Sequence, residues 1–445
     1  MRTDSNRYLS ANADPNPARK TPKRVLTKKP GSVKTEFTKC TLAELLTKWR
    51  STLIMSRKFP VKAHLTVRPE GAAPRQSYRR EHINRMENYS VQVPPYTVGP
   101  EAYKKIEEYC RIYGTKAVVI GGKRAMTAAR EKLIQAVENT EIDILDFLWF
   151  GKDSTFEAAD RLTKEKTVQE ADMIFAVGGG KAVDTAKLVS RSLEKPFFSF
   201  PTIASNCASA SALSIVYKED GTFCEFVYLH EPAQHIFIDT DIIARAPKEY
   251  LWAGIGDTYA KYYEVSISAR GEALEHFKAM GVQLSHMCLE TMMEHGRQAL
   301  IDNEAGVASY DLEQAALDII ITAGWVSLLM AREHTMDYNG GAAHAFFYGL
   351  CNMPGFEENH LHGVVVGFGV LLLLLMDGQE EEYRKLAAFN QTVGLPSKLS
   401  DIGVTVEQVA KYASFIVADE DLHHYPYQVT EEMVIEAAKK LDIAE

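Results

Sequence analysis

One change of rhythm constrains this chain more than any other feature. From Met86 to Pro247 short apolar runs alternate with amphipathic stretches, and beyond Pro247 helical patterns with few glycines continue to the C-terminus. The apolar runs are 117–120, 142–150, 172–177, 197–200 and 235–238, separated by helical patterns over 101–112, 124–139, 157–169 and 182–192. Parallel strands need long crossovers, which helices fill, so the alternation predicts a parallel sheet covered by helices. Two further β-rich runs, 213–217 and 223–228, flank an Asp-Gly pair at 220–221, which predicts an inserted hairpin. The later patterns, 250–269, 272–295 and 310–334, lead into a His-rich stretch. The expected architecture is an α/β domain over 86–248 with a Rossmann-like parallel sheet for a nucleotide, followed by an all-α domain over 249–445.

Residues 1–85 are of a different kind. They hold 20 Lys+Arg against 6 Asp+Glu, while the remainder holds 30 against 53. Rich in Pro, Ser and Asn, with little periodicity outside 42–53, the segment reads as a basic, disordered or dispensable leader with Met86 as the working start. A nucleic-acid arm or a transit peptide is the functional alternative. No apolar segment of signal-peptide type follows the basic N-terminus. The longest clean apolar run, 364–376, is too short for a bilayer, so no membrane partner is expected. The six cysteines show no CxxC pair or zinc-type spacing, which predicts reduced thiols in a cytoplasmic protein.

The most informative local motif is the run VGGGKAVDTAK, 177–187. A buried strand enters Gly178, Gly179 and Gly180 and then opens a helix at Lys181. Without side chains the backbone N–H groups can approach a pyrophosphate, and the helix N-terminus adds partial positive charge. The spacing departs from GxGxxG, and a tight turn alone would also explain three glycines. Asp184 falls in the first turns, where the helix dipole favours an acid whether or not it touches a cofactor. A second candidate is the stretch after Phe200, dense in small hydroxyl residues; it reads as a cofactor channel or as a plain polar loop.

Asp257, His344 and His362 have the chemistry for a divalent cation. One carboxylate and two imidazoles with an open position suit a catalytic zinc, or iron. Eighteen residues separate the histidines, about 27 Å along one straight helix, so the chain must reverse between them. The Asn-Met-Pro-Gly sequence at 352–355 supplies the break. Buried core histidines are the ordinary alternative, and His334 and His360 are neighbouring decoys.

VGGGKAVDTAK, PTIAS with IVY ten residues on, FIDTDIIARAPKEYLWAGIGDTYAKYYE, AAHAFFYGL and HLHGVVVGFG occur in this order. Together they resemble the glycerol dehydrogenase branch of the iron-containing alcohol dehydrogenase family, over about 86–445. The resemblance implies the dehydroquinate synthase-like/alcohol dehydrogenase architecture, with nicotinamide and metal in a cleft between two domains. It places metal ligands on Asp257, His344 and His362. Cofactor contacts fall on Gly178, Gly179, Gly180, Lys181, Asp184, Thr202, Ser205, Ser211, Leu213 and Tyr217. It also implies a homo-oligomer, with nucleic acid not expected as a partner.

Two departures bear on substrate and cofactor. Where the family carries an Asp that contacts the polyol, this chain has Cys207, and Asn206-Cys207-Ala208 is similar to the Thr-Cys-Ala of hydroxycarboxylate dehydrogenase relatives, which reduce 2-oxo acids. Where NAD-users carry an acid for the adenosine ribose, the chain reads Gly122 and Lys123, followed by Arg124. Loss of a carboxylate and gain of two cations suits a 2′-phosphate, so NADPH is expected to be accepted beside NAD. The expected reaction is metal-assisted hydride transfer between NAD or NADP and the carbinol carbon of a small alcohol, a glycerol-like polyol or a 2-hydroxy acid. The rivals are a 2-oxo acid reductase specifically, a dehydroquinate synthase-type lyase, and an inactive domain tethered by its basic leader.

Overall fold

The computed structural model describes residues 89–331 and 336–443, and they belong to one contiguous unit. The leader, its 42–53 pattern and His334 lie outside the described residues.

Six parallel strands form the sheet: β1 (Tyr96–Val98), β2 (Lys116–Gly121), β3 (Asp143–Trp149), β4 (Met173–Gly178), β5 (Phe197–Pro201) and, after the hairpin strands β6 (Leu213–Tyr217) and β7 (Phe223–Tyr228), β8 (Ile236–Ile238). Their spatial order is β1-β8-β5-β4-β2-β3. The runs of β2, β4, β5 and β8 read as nearly continuous apolar text because both faces are covered, while β3 at the sheet edge is partly exposed. Val118, Ile120, Ile174 and Ala176 point into a core shared with the helical half, while Val119, Phe175, Phe198, Phe200 and Phe237 pack on the opposite face. There Phe200 stacks on Phe237 with ring centroids 4.9 Å apart. The β6–β7 pair is antiparallel and stands as a separate two-stranded sheet, with Gly221 at φ 89° in its turn.

Helices α1 (Lys123–Val137), α2 (Phe156–Thr163) and α3 (Gly180–Leu193) serve the sheet. The helical half follows: α4 (Lys248–Ser268), α5 (His276–Glu304), α6 (Tyr310–Met330), α7 (Ala342–Leu350), α8 (His362–Met376), α9 (Glu380–Val393), α10 (Val406–Val417) and α11 (Glu431–Ile443). In α6 the ladder passes through a π segment at Asp318–Thr322. By length and composition α6 is apolar enough to cross a bilayer, but 72% of its most apolar window is buried.

The structure departs from the sequence reading in four places. Strand β1, only three residues long, pairs with β8 and carried no readable run. The pattern at 101–112 is three short helical turns in place of one helix. The pattern at 157–169 breaks where Glu165 turns extended between α2 and Lys166–Glu170. The pattern at 272–295 begins at His276 and runs on to Glu304.

Candidate active site

Strand β2 has β3 on one side and β4 on the other, so successive crossovers leave in opposite directions between β2 and β4. Crevices at the carboxyl ends of strands at such a switch point are where open α/β sheets bind ligands. Here β2 ends at Gly121-Gly122 and β4 at Gly178, and the Gly122 N–H donates to the Val177 carbonyl at 3.3 Å. Gly178 has φ +150°, and a Cβ on it would lie 2.8 Å from that of Ala182. Gly179 is the N-cap of α3 and no side chain caps the helix, leaving first-turn N–H donors for an anion.

The other expected cofactor residues fall into two groups. Thr202 follows β5 directly, its N–H donating to Gly178 O at 3.3 Å, and Ser205 is half-buried in the loop beyond. Lys181 pairs with Asp153 and stands 4.8 Å over the Tyr217 ring. Lys123 is exposed at the start of α1, its ammonium 4.1 Å over the Trp149 ring. Asp184 and Ser211, by contrast, belong to an internal knot. The Lys187 ammonium donates to Asp184 Oδ1 at 3.1 Å, Ser211 Oγ at 3.2 Å and Leu213 O at 2.6 Å. Asp184 Oδ2 accepts from the Ile215 N–H at 3.3 Å. This knot ties α3 to the hairpin, and burial raises the Asp184 carboxyl above its usual range.

The acidic and imidazole groups meet in the helical half. Asp257 is on α4, His344 on the first turn of α7 and His362 at the start of α8. The short segment Phe356–Asn359 lies between the two histidine-bearing helices, so the chain reverses as the 352–355 break requires. Both Nε2 atoms stand 3.6 Å from Asp257 Oδ1, and one ligand atom from each residue lies within 4.8 Å of the others. Glycines set this approach: a Cβ on Gly256 would lie 2.3 Å from Gly363 O, and one on Gly363 2.1 Å from Ala253 O. Helices α4 and α8 therefore touch backbone to backbone one residue away from Asp257 and His362.

Electrostatically the cluster is made for a cation. Asp257 Oδ1 is buried with no hydrogen-bond partner, an arrangement costly to a carboxylate unless a positive charge faces it. Burial would raise the Asp257 carboxyl, but His344, His362 and Lys261 outweigh it and hold the group at about 2. Burial pushes His362 down to about 4, leaving a neutral ligand nitrogen. Burial also works against a proton on His344, but Glu264 and Asp257 prevail and lift it to about 10. A metal ion held there would take the place of that proton on Nε2. The residues present thus fit a divalent metal.

Sequence reasoning missed Glu264 and Lys261. Glu264 is fully buried and accepts from the His344 backbone N–H at 2.9 Å, with its other oxygen 2.7 Å from His344 Nδ1. It fixes the ring with Nε2 toward Asp257, as an outer carboxylate does for a metal-bound imidazole. Asp257, Lys261 and Glu264 stand at i, i+4 and i+7, one face of a helix, and that period was the available signal. Cys207 sits half-buried in the loop after β5, its thiol raised by burial, while Lys261 draws it down.

Residues 97–247 match the family model described as iron-containing alcohol dehydrogenase. The glycerol dehydrogenase of Thermotoga maritima is 31% identical over 359 residues, covering 78% of this chain and 94% of the relative. Hydroxycarboxylate dehydrogenase A of Escherichia coli is 30% identical over 333 residues, covering 74% and 90%. Among solved structures, the glycerol dehydrogenase of Schizosaccharomyces pombe superposes with a TM-score of 0.71 at 26% identity, covering 80% of this chain and 91% of that one.

Proposed function

The chain belongs to the iron-containing alcohol dehydrogenase family and is an oxidoreductase acting on alcohols with NAD(P) and a divalent metal; from that premise we propose which residues do the work. Asp257, His344 and His362 are the metal ligands. Gly122, Lys123, Gly178, Gly179, Gly180, Lys181, Thr202, Ser205, Leu213 and Tyr217 surround the cofactor, with Asp184 and Ser211 shaping the channel from inside the knot. The observation that carries this reading is the buried, partnerless Oδ1 of Asp257 with two imidazole nitrogens 3.6 Å away.

When bound, the metal supplies Lewis-acid polarisation of the substrate oxygen and the nicotinamide carries the hydride. The chain itself holds and orients. Glu264 keeps His344 in one tautomer, burial keeps His362 neutral, and the uncapped start of α3 takes the pyrophosphate. The two-imidazole, one-carboxylate donor set favours zinc, with iron the alternative. Exposed Lys123 and Arg124 beside Gly122, with no acid at that strand end, favour NADPH.

The two-domain division at about residue 248 remains our reading, with 1–85 as a leader. A homo-oligomer is supported by exposed Met280, Met287 and Ile301 along one side of α5. A cytoplasmic site is supported by the free state of all five described cysteines. Polyols, diols, 2-hydroxy acids and 2-oxo acids, assayed with both cofactors and with added zinc or iron, test the proposal. Turnover that depends on metal and nicotinamide is expected. Nicotinamide bound but never turned over in net would instead indicate the lyase-type relative.

A further inference from the structure

Three lysines are buried among the described residues: Lys187, Lys261 and Lys278. Lys187 is paired with Asp184 and Lys278 with Asp337. Lys261, 5% exposed, has no carboxylate within ion-pair distance among the described residues. Its ammonium donates to Asn339 O at 3.1 Å and to Asn339 Oδ1 at 3.3 Å. An ammonium has three N–H donors, so one is left over. A buried cation with a spare donor and only neutral acceptors is costly unless an anion comes to it.

Its place says which anion. Lys261 is one helical turn beyond Asp257, about 6 Å along the axis of α4. Asp257, Glu264 and Asp421 are near enough to keep it charged against the effect of burial. Cys207, facing it from the loop after β5, stays a neutral thiol and repels nothing. With a dication seated, the charges of Asp257 and Glu264 are more than balanced by metal and Lys261 together. Asp421, pushed by burial to about 7, adds only part of a negative charge, and Asp419, also raised by burial, stands beside Asp421 and is not among the groups that act on Lys261. The loaded pocket is short of negative charge, and a substrate that brings a carboxylate supplies it.

We propose that Lys261 receives the carboxylate of the substrate, so that the site works on 2-oxo acids and their 2-hydroxy acids rather than on neutral polyols. This rests on the dehydrogenase reading above and narrows its substrate class. In a 2-oxo acid the carboxylate adjoins the reacting carbonyl, so a cation one helical turn from the metal ligand meets one group while the metal site meets the other. In reduction the C4–H bond of the reduced nicotinamide breaks and a C–H bond forms at C2. The carbonyl π pair goes to oxygen, which takes a proton from water.

The test compares pyruvate with hydroxyacetone, alike in size and different in charge, on the metal-loaded full chain with NADPH. Wild type is expected to prefer pyruvate in kcat/KM. In Lys261→Met that preference falls by about 100-fold, mostly through KM for pyruvate, and Lys261→Arg restores part of it. Calorimetric binding of oxamate to the protein loaded with metal and NADPH is expected to vanish in Lys261→Met and to persist in Lys261→Arg. Lys261→Gln, which keeps a donor for Asn339 without the charge, must behave as the Met variant does. Loss of both substrates in equal proportion, or a wild type that prefers hydroxyacetone and glycerol, overturns the role of Lys261 and leaves the dehydrogenase standing. No turnover of any carbonyl or alcohol with either cofactor overturns both.

Discussion

Glu264 shows how a residue that touches neither substrate nor cofactor sets the chemistry. Its two oxygens grip the backbone and ring of His344, so Glu264→Gln leaves one grip wrongly polarised. The variant is expected to bind metal about 10- to 100-fold more weakly, as measured by competition with a chromogenic chelator. Two other buried groups impose opposite pH dependences on stability. His235 is 2% exposed, stacks on Tyr109 at 4.0 Å and has an unpartnered Nδ1; burial pushes its pKa down to about 4. The unfolded chain binds a proton near pH 6.5 that the fold refuses, so stability is lost as pH falls from there toward 4. His235→Gln, which keeps a partner for Thr97, should flatten that loss by roughly 1–3 kcal/mol in urea titrations at pH 7 and 4.5. Asp318, in the π segment of α6, has neither oxygen hydrogen-bonded, and burial raises it to about 8. Here the fold holds the proton more tightly, so the carboxyl costs stability as pH rises from 4 to 8. Asp318→Asn should therefore raise the melting temperature at pH 8 and change little near pH 4.

At the scale of elements, the contact of α4 with α8 determines whether a site exists at all. Gly363→Ala inserts a methyl where the Ala253 carbonyl already stands, and α8 must retreat. Helix content by circular dichroism should hold while bound metal and activity fall at least about tenfold, a change of roughly 1.4 kcal/mol or more in metal binding. Such a contact was not legible beforehand. Periodicity reports which face of a helix is buried, so α4, α7 and α8 and their Asp257, His344 and His362 could be found in the text. It does not say which faces meet, and only the glycines hint at backbone contact. Strands β2, β4, β5 and the three-residue β8 were readable because burial on both faces makes them apolar, and β3 because its edge position still carries an apolar run. Strand β1 was not, because Tyr96–Val98 is only partly buried and shows no apolar run, whereas β8, equally short, is buried throughout. Asp184 shows the converse: its place in the first turn of α3 suggested dipole or cofactor, and the knot with Lys187 appears only when the hairpin folds back.

For the whole molecule, a metal held by Asp257, His344 and His362 would tie together three helices distant in sequence. Removing it with a chelator should abolish turnover and lower the melting temperature, and restoring zinc should return both, since a ligand that binds only the folded state stabilises it in proportion to its occupancy. The sheet is closed by a different tie. Tyr96–Val98 lies alongside Ile236–Ile238, so the first described strand finds its neighbour about 140 residues later. Without β1 that flank of the open sheet has no cover, and Ile236, Phe237 and Ile238 offer bare amides to any passing strand. A protein shortened to begin after Val98 would keep every catalytic group and lose its guard against clumping.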